Sequence, residues 1–218
     1  MKTPSNIRYL AIEGVIGVGK SSLAELLGQR LDATLLMEDF GQNPFLKSFY
    51  ENPEAWAFQT QLFFLLSRFQ KLQDTFSQED IFRPLVVSDY TIEKDRIFAV
   101  QNLSEHELAL YDKVAAALQQ EVVKPDFVVY LQASVPTLIE RIKQRDREME
   151  RKIEPSYLLA LSEQYNRHFL HYQDAPVMIV NTDNIDFVNN EMDLENLIKE
   201  ICKCPLGLSF YAPQSSNR

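Results

Sequence analysis

Apolar residues along this chain come in short runs, separated by longer stretches with a helical period. The runs are RYLAIE at 8–13, ATLLME at 33–38, RPLVVSD at 83–89, PDFVVYLQA at 125–133 and PVMIVNTD at 176–183. Each is short and nearly continuous, the pattern of a strand buried on both faces. Between them the spacing predicts helices over 20–31, 53–73, 104–122, from 135 into RIKQRDREMERK, 155–172 and 190–203. Pro53 and Pro155 suit first helical turns, and Ser104 with Glu107 makes a capping box. Over 53–73 the residues Trp56, Phe63 and Leu66 read as the apolar face. Strands alternating with helices predict an α/β protein: a five-stranded parallel sheet, helices on both faces, right-handed crossovers. No repeat or low-complexity linker divides residues 1–218, so they read as a single domain. The tail 205–218, PLGLSFYAPQSSNR, shows neither period and is expected to be loose.

Charge narrows the function classes. The net charge of −9 disfavours a nucleic-acid partner unless a local basic patch exists. It fits capture of a small anion in a local pocket. No window is long and apolar enough to cross a bilayer, and the first ten residues lack a signal-peptide core, so a cytoplasmic protein is expected. Cys202 and Cys204 are too close in sequence for an unstrained disulfide and read as reduced thiols.

The first strand runs into GVIGVGKSS. Gly14, Val15, Ile16, Gly17, Val18, Gly19, Lys20 and Ser21 fit G-x-x-x-x-G-K-[ST], with Ser22 following. Three of only six glycines in the chain fall here. Glycine lets several backbone N–H groups turn onto one anion, and the following helix adds its positive end. Lys20 is expected at the β- and γ-phosphates and Ser21 on Mg²⁺. A GTPase would also carry a base-reading N-K-x-D segment, which this chain lacks.

Other residues supply a second reactant. Glu38 ends the second strand, at the carboxyl edge of the sheet where ligands bind, and is placed to accept a proton from an attacking hydroxyl. Arg141 and Arg145 lie four apart on one helix, with Arg147 following; together they suit an arginine-bearing lid over about residues 145–154. Gln61 and Arg68 lie seven apart in an apolar helix, where a buried polar pair needs partners such as a heterocyclic base. Asp95 is placed to brace Arg68.

These spaced motifs resemble the deoxynucleoside kinase family, in its bacterial deoxyadenosine/deoxyguanosine kinase-like branch, over about residues 8–185. The match includes the glycine loop, Glu38, and Y-E-x-P-x-x-W-x-F-x-x-Q at Tyr50, Glu51, Pro53, Trp56, Phe58 and Gln61. It continues with Arg68, Arg141, Arg145, Arg147 and Glu150. The resemblance implies a P-loop kinase fold and ATP-dependent phosphorylation of a deoxynucleoside 5′-hydroxyl with Mg²⁺, in salvage. Glu38 would be the base, Tyr50 and Glu150 the 3′-hydroxyl contacts, and Gln61 the base reader. Phe58 and Phe98 would sandwich the base, Asp89 support the metal, and Asp183 lie beside the adenine of ATP. It also implies a homodimer through a helix bundle. Where many members carry an acid followed by arginine after the third strand, this chain has Asp89 and Tyr90; another basic group, such as a lid arginine, would compensate. Arg68 with Asp95 favours a base with an exocyclic amino group or a purine edge, and the resemblance to the bacterial branch implies deoxyadenosine, then deoxycytidine or deoxyguanosine. The alternatives are a thymidylate-type nucleoside monophosphate kinase and a non-catalytic nucleotide-binding regulator.

Overall fold

The structure is a computed structural model that describes residues 7–76, 85–118 and 122–213. Six strands form one sheet: β1 Tyr9–Gly14, β2 Thr34–Leu36, β3 Val86–Ser88, β4 Phe127–Gln132, β5 Val177–Asn181 and β6 Leu208–Tyr211. Their order is β2-β3-β1-β4-β5-β6 and every pairing is parallel. Leu10 of β1 faces Val87 on one side and Phe127 on the other. β1, β3 and β4 are thus interior strands, and β1 and β3 are buried along their whole length. That explains why they read as unbroken apolar runs.

The helices are α1 Lys20–Leu31, α2 Leu46–Glu51, α3 Pro53–Phe76, α4 Glu93–Asn102, α5 Glu105–Leu118, α6 Val135–Arg145, α7 Pro155–Phe169 and α8 Glu191–Cys202. One half of the expected capping box is present: Glu107 Oε2 accepts the Ser104 N–H at 2.9 Å, while the Ser104 hydroxyl donates to the same oxygen at 2.6 Å. One large core lies between the sheet and α1, α6, α7 and α8, and includes the fully buried Tyr130, Tyr165 and Phe169, whose rings stack.

Several elements differ from the sequence reading. The tail holds β6, which pairs with β5 from Val177↔Leu208 to Val180↔Tyr211. As an edge strand it alternates exposed and half-buried residues, too short a signal for a period to stand out. Residues 214–218 lie outside the described residues, as do 83–84 and 119–121 of the expected third strand and 104–122 helix. Helix α6 stops at Arg145, where Asp146 takes φ 50° and donates its N–H to Ile142 O, so the lid turn 148–150 is separate. α2 and α4 were not anticipated. The face of α3 turned inward carries Ala57, Thr60, Gln61, Phe64, Leu65, Arg68 and Leu72. Trp56 and Leu66 are instead 37% and 46% exposed. The polar Gln61 and Arg68 of this face line a cavity.

Candidate active site

β1 delivers the chain into the loop 15–19, and Gly19 starts α1. Gly14 and Gly17 have φ of 147° and 87°. A Cβ on Gly14 would lie 2.5 Å from the Leu131 carbonyl oxygen, and one on Gly17 2.7 Å from Ile142 Cγ1. The loop therefore lies flat against β4 and α6, where only glycine fits. Val15 and Val18 are buried in the core, while Ile16, Gly17, Gly19, Lys20, Ser21 and Ser22 line a cavity of about 270 Å³. Lys20 Nζ folds back and donates to the carbonyls of Gly14 (2.7 Å) and Val15 (3.1 Å). Burial, then repulsion from Lys94, pushes its pKa down to about 7 against the pull of Glu13, Asp89 and Glu38. Ser21 Oγ donates to Asp89 Oδ2 at 2.5 Å, and the other Asp89 oxygen accepts the Glu38 N–H at 2.8 Å. Asp89 thus ties the loop's hydroxyl to the segment that carries Glu38.

Glu38 sits where the cavity passes from the loop to an aromatic wall. Its side chain is 3% exposed. Oε1 accepts from Arg68 Nε at 2.6 Å and also from its NH2 group; Oε2 accepts from Lys94 Nζ at 2.6 Å. Burial alone would raise its pKa, but Arg68 and then Lys94 outweigh burial and hold it at about 2. Glu38 is an ionised acceptor at neutral pH. Arg68 pairs through NH1 with Asp95, as the sequence reading expected, but its remaining donors go to Glu38. Burial raises the Asp95 pKa to about 6 despite Arg68. Beneath them lies Glu13, wholly buried, accepting from the N–H groups of Thr91 (2.6 Å) and Gly14 (3.2 Å) and the Thr91 hydroxyl (2.9 Å). Burial raises its pKa, opposed first by Lys94 and Lys20.

The far wall is Phe40, Phe49, Tyr50, Phe64 and Phe98, with Thr60 and Gln61 between them. Phe98, expected beside a base, is among these cavity-lining residues. Phe58 is not: it packs with Leu62, Leu65 and Tyr111 between α3 and α5. Packed there, Phe58 is not among the residues that line the cavity, so it is not placed to stack on a base in it. Residues of the segment expected as a lid also border the cavity. Arg145 and Arg147 both pair with Glu150, at 2.5 and 3.5 Å, and all three line the cavity with Tyr50. Arg141, one turn earlier, does not. It donates to Val18 O (3.2 Å), Thr182 Oγ1 (2.9 Å) and Thr182 O (2.7 Å), tying the phosphate loop to the end of β5. Asp183 accepts the Ser134 N–H at 2.8 Å at the start of α6.

The sequence-profile comparison decides what this arrangement belongs to. The deoxynucleoside kinase profile matches residues 10–204, nearly the whole chain. The chain belongs to the deoxynucleoside kinase family. It is 39% identical over 197 residues to a deoxyguanosine kinase of Bacillus subtilis, covering 88% of this chain and 95% of that one. It is 30% identical over 200 residues to a Bacillus subtilis deoxyadenosine/deoxycytidine kinase, covering 88% and 90%. Among solved structures, a deoxyadenosine kinase from M. mycoides with bound dATP superposes with a TM-score of 0.77 at 24% identity, over 88% of this chain and 98% of that one. The protein is a deoxynucleoside kinase of the bacterial branch, with the P-loop kinase fold.

Two buried charged residues near Glu38 were not singled out in the sequence. Lys94 lies in EKDR at 93–96, which as a sequence looks like a solvated turn. Glu13 could have been singled out as the lone acid of an apolar strand, one residue ahead of the loop. Among the described residues no helix is long and apolar enough to cross a membrane.

Proposed function

We propose that this kinase transfers the γ-phosphate of ATP to the 5′-hydroxyl of a purine deoxynucleoside, deoxyguanosine first and deoxyadenosine next. The observation that carries the acceptor class is a buried, ionised carboxylate between the phosphate loop and an aromatic cavity wall. The 39% identity to a deoxyguanosine kinase puts guanine ahead of the adenine favoured on sequence alone. Gln61, 3% exposed, offers both a donor and an acceptor to a base edge, and Phe98 and Phe64 offer faces to stack on. Tyr50 and the Glu150 carboxylate are suited to hold the sugar 3′-hydroxyl.

In this reading the triphosphate lies across residues 14–22, with its adenine towards Asp183. Lys20 leaves the Gly14 and Val15 carbonyls for the phosphate oxygens, and regains its full charge there. Glu38 accepts the hydroxyl proton; Arg145 and Arg147 meet the charge on the transferring group. Arg141 acts one step back, by fixing Val18 and Thr182. The hard oxygen donors Ser21 Oγ and Asp89, already in contact, fit Mg²⁺, which keeps several waters and is completed by phosphates. Bound Mg²⁺ would neutralise charge on the bridging phosphates. Exposed Leu66 on α3 and Leu110 on α5 support a homodimer through these helices; light scattering tests it. A cytoplasmic location and small-molecule partners alone, without nucleic acid, complete the reading.

The test is kcat/KM for the four natural deoxynucleosides with ATP. Deoxyguanosine is expected to lead, then deoxyadenosine. Turnover of a nucleoside monophosphate with none of any nucleoside would instead support a monophosphate kinase. Against that reading stands Glu38, whose negative charge repels an acceptor phosphate.

A further inference from the structure

Tyr90 cannot supply a positive charge to Glu38. It is fully buried with Tyr9, Leu36 and Leu72, and its ring lies 5.8 Å from the Arg68 guanidinium carbon. Glu38 nevertheless carries two cations, and they are not equivalent. Arg68 is pinned: it pairs with Glu38 and with Asp95, and its guanidinium lies 4.8 Å over the Phe64 ring. Lys94 has one carboxylate partner among the described residues, Glu38 Oε2 at 2.6 Å. Its ammonium lies within 5.5 Å of the Phe40 ring and 6.0 Å of the Phe98 ring, and it lines the cavity. Those aromatic faces favour a cation away from Glu38 as well as on it. A lysine stem with three donors can swing where a doubly paired, planar guanidinium cannot.

There is also a reason for one of them to move. Oε1 already accepts from two Arg68 donors, so Oε2, with Lys94 as its single donor, is the oxygen open to an incoming hydroxyl, and it is a stronger base once that cation has left. We propose that Lys94 is a mobile catalytic cation: it occupies Glu38 Oε2 in the free enzyme and moves onto the acceptor oxygen when the deoxynucleoside binds. The vacated Oε2 then receives the hydroxyl proton. The acceptor oxygen forms its bond to the γ-phosphorus, and the bridging β–γ P–O bond breaks with its electron pair on ADP. Lys94 donates to the acceptor oxygen while that bond forms, and Arg68 keeps Glu38 in place throughout. The charge missing at position 90 is supplied from the helix that follows, and not by a lid arginine.

This inference rests on the kinase reading, so wild-type turnover with deoxyguanosine comes first; no turnover with any deoxynucleoside overturns that reading and this inference with it. With the wild type active, Lys94→Met is expected to lower kcat about 100-fold. KM for ATP is expected to change much less than kcat, since among the described residues the hydrogen bond of Lys94 goes to Glu38 and not to the loop. Lys94→Arg keeps the charge and is expected to retain more than about a tenth of kcat. A kcat for Lys94→Met within about threefold of wild type, or a Lys94→Arg as poor as Lys94→Met, overturns the inference. A crystal structure of the wild type with deoxyguanosine and a non-hydrolysable ATP analogue decides independently of how the variants fold. Lys94 Nζ on the 5′-oxygen supports the proposal; Nζ still on Glu38 Oε2 overturns it.

Discussion

Replacing Glu38 with glutamine removes one buried charge and keeps the shape. In the wild type, Arg68 and Lys94 hold the Glu38 pKa at about 2 against an ordinary value of 4.5. By linkage that difference is worth about 3 kcal/mol of stability near neutral pH. The folded pKa is the lower one, so this stability is complete above about pH 4.5 and is lost as pH falls toward 2. Glutamine would keep one acceptor for Arg68 but turn its NH₂ group toward the Lys94 ammonium, donor against donor. The variant should therefore melt roughly 6–12 °C lower at pH 7. It should also lose less stability than the wild type between pH 4.5 and 2. Catalysis should fall more steeply. Loss of a positioned base typically lowers kcat by about 10²–10⁴, while KM for ATP stays within about threefold. Melting curves across pH, with ADP release followed well below the melting temperature, measure both effects. A kcat within about threefold of wild type would remove Glu38 from the base role. A large kcat loss with an unchanged melting point would instead refute the paired-charge account of its burial.

Gly17→Ala sets a Cβ 2.7 Å from Ile142 Cγ1 at φ 87°, so it should cost about 1–3 kcal/mol of stability and weaken ATP binding at least about tenfold by calorimetry. Lys20→Met should abolish turnover yet raise the melting temperature of the ligand-free protein at pH 6. Lys20's folded pKa, about 7, lies below its ordinary 10.5, so its burial penalty is full below pH 7 and fades as pH rises toward 10.5. The melting difference between variant and wild type should shrink over that window; a constant difference would refute it. Glu150→Gln frees Arg145 and Arg147 from their shared partner and should raise KM for the deoxynucleoside at least about tenfold, with KM for ATP little changed.

Features set by local chemistry were legible in the sequence. The glycine loop, five of the six strands and the Ser104–Glu107 cap depend on residues near one another along the chain. So does the placement of Glu38 at a strand's carboxyl end. Helical spacing added Gln61, Arg68 and the three arginines, the family resemblance added Tyr50 and Glu150, and the structure gathers all but Arg141 around one cavity. What the sequence could not display were choices made by partners far away. The inward face of α3 carries Thr60, Gln61 and Arg68 among its apolar residues, which set Phe58 against α5 and left Trp56 37% exposed. The edge strand β6 exists because β5 offers it a free row of backbone groups. Lys94 and Asp95 belong to a charged run that ordinarily faces water. They are buried because Glu38, 56 residues before Lys94, and Arg68 neutralise them, and only the folded chain brings those charges together.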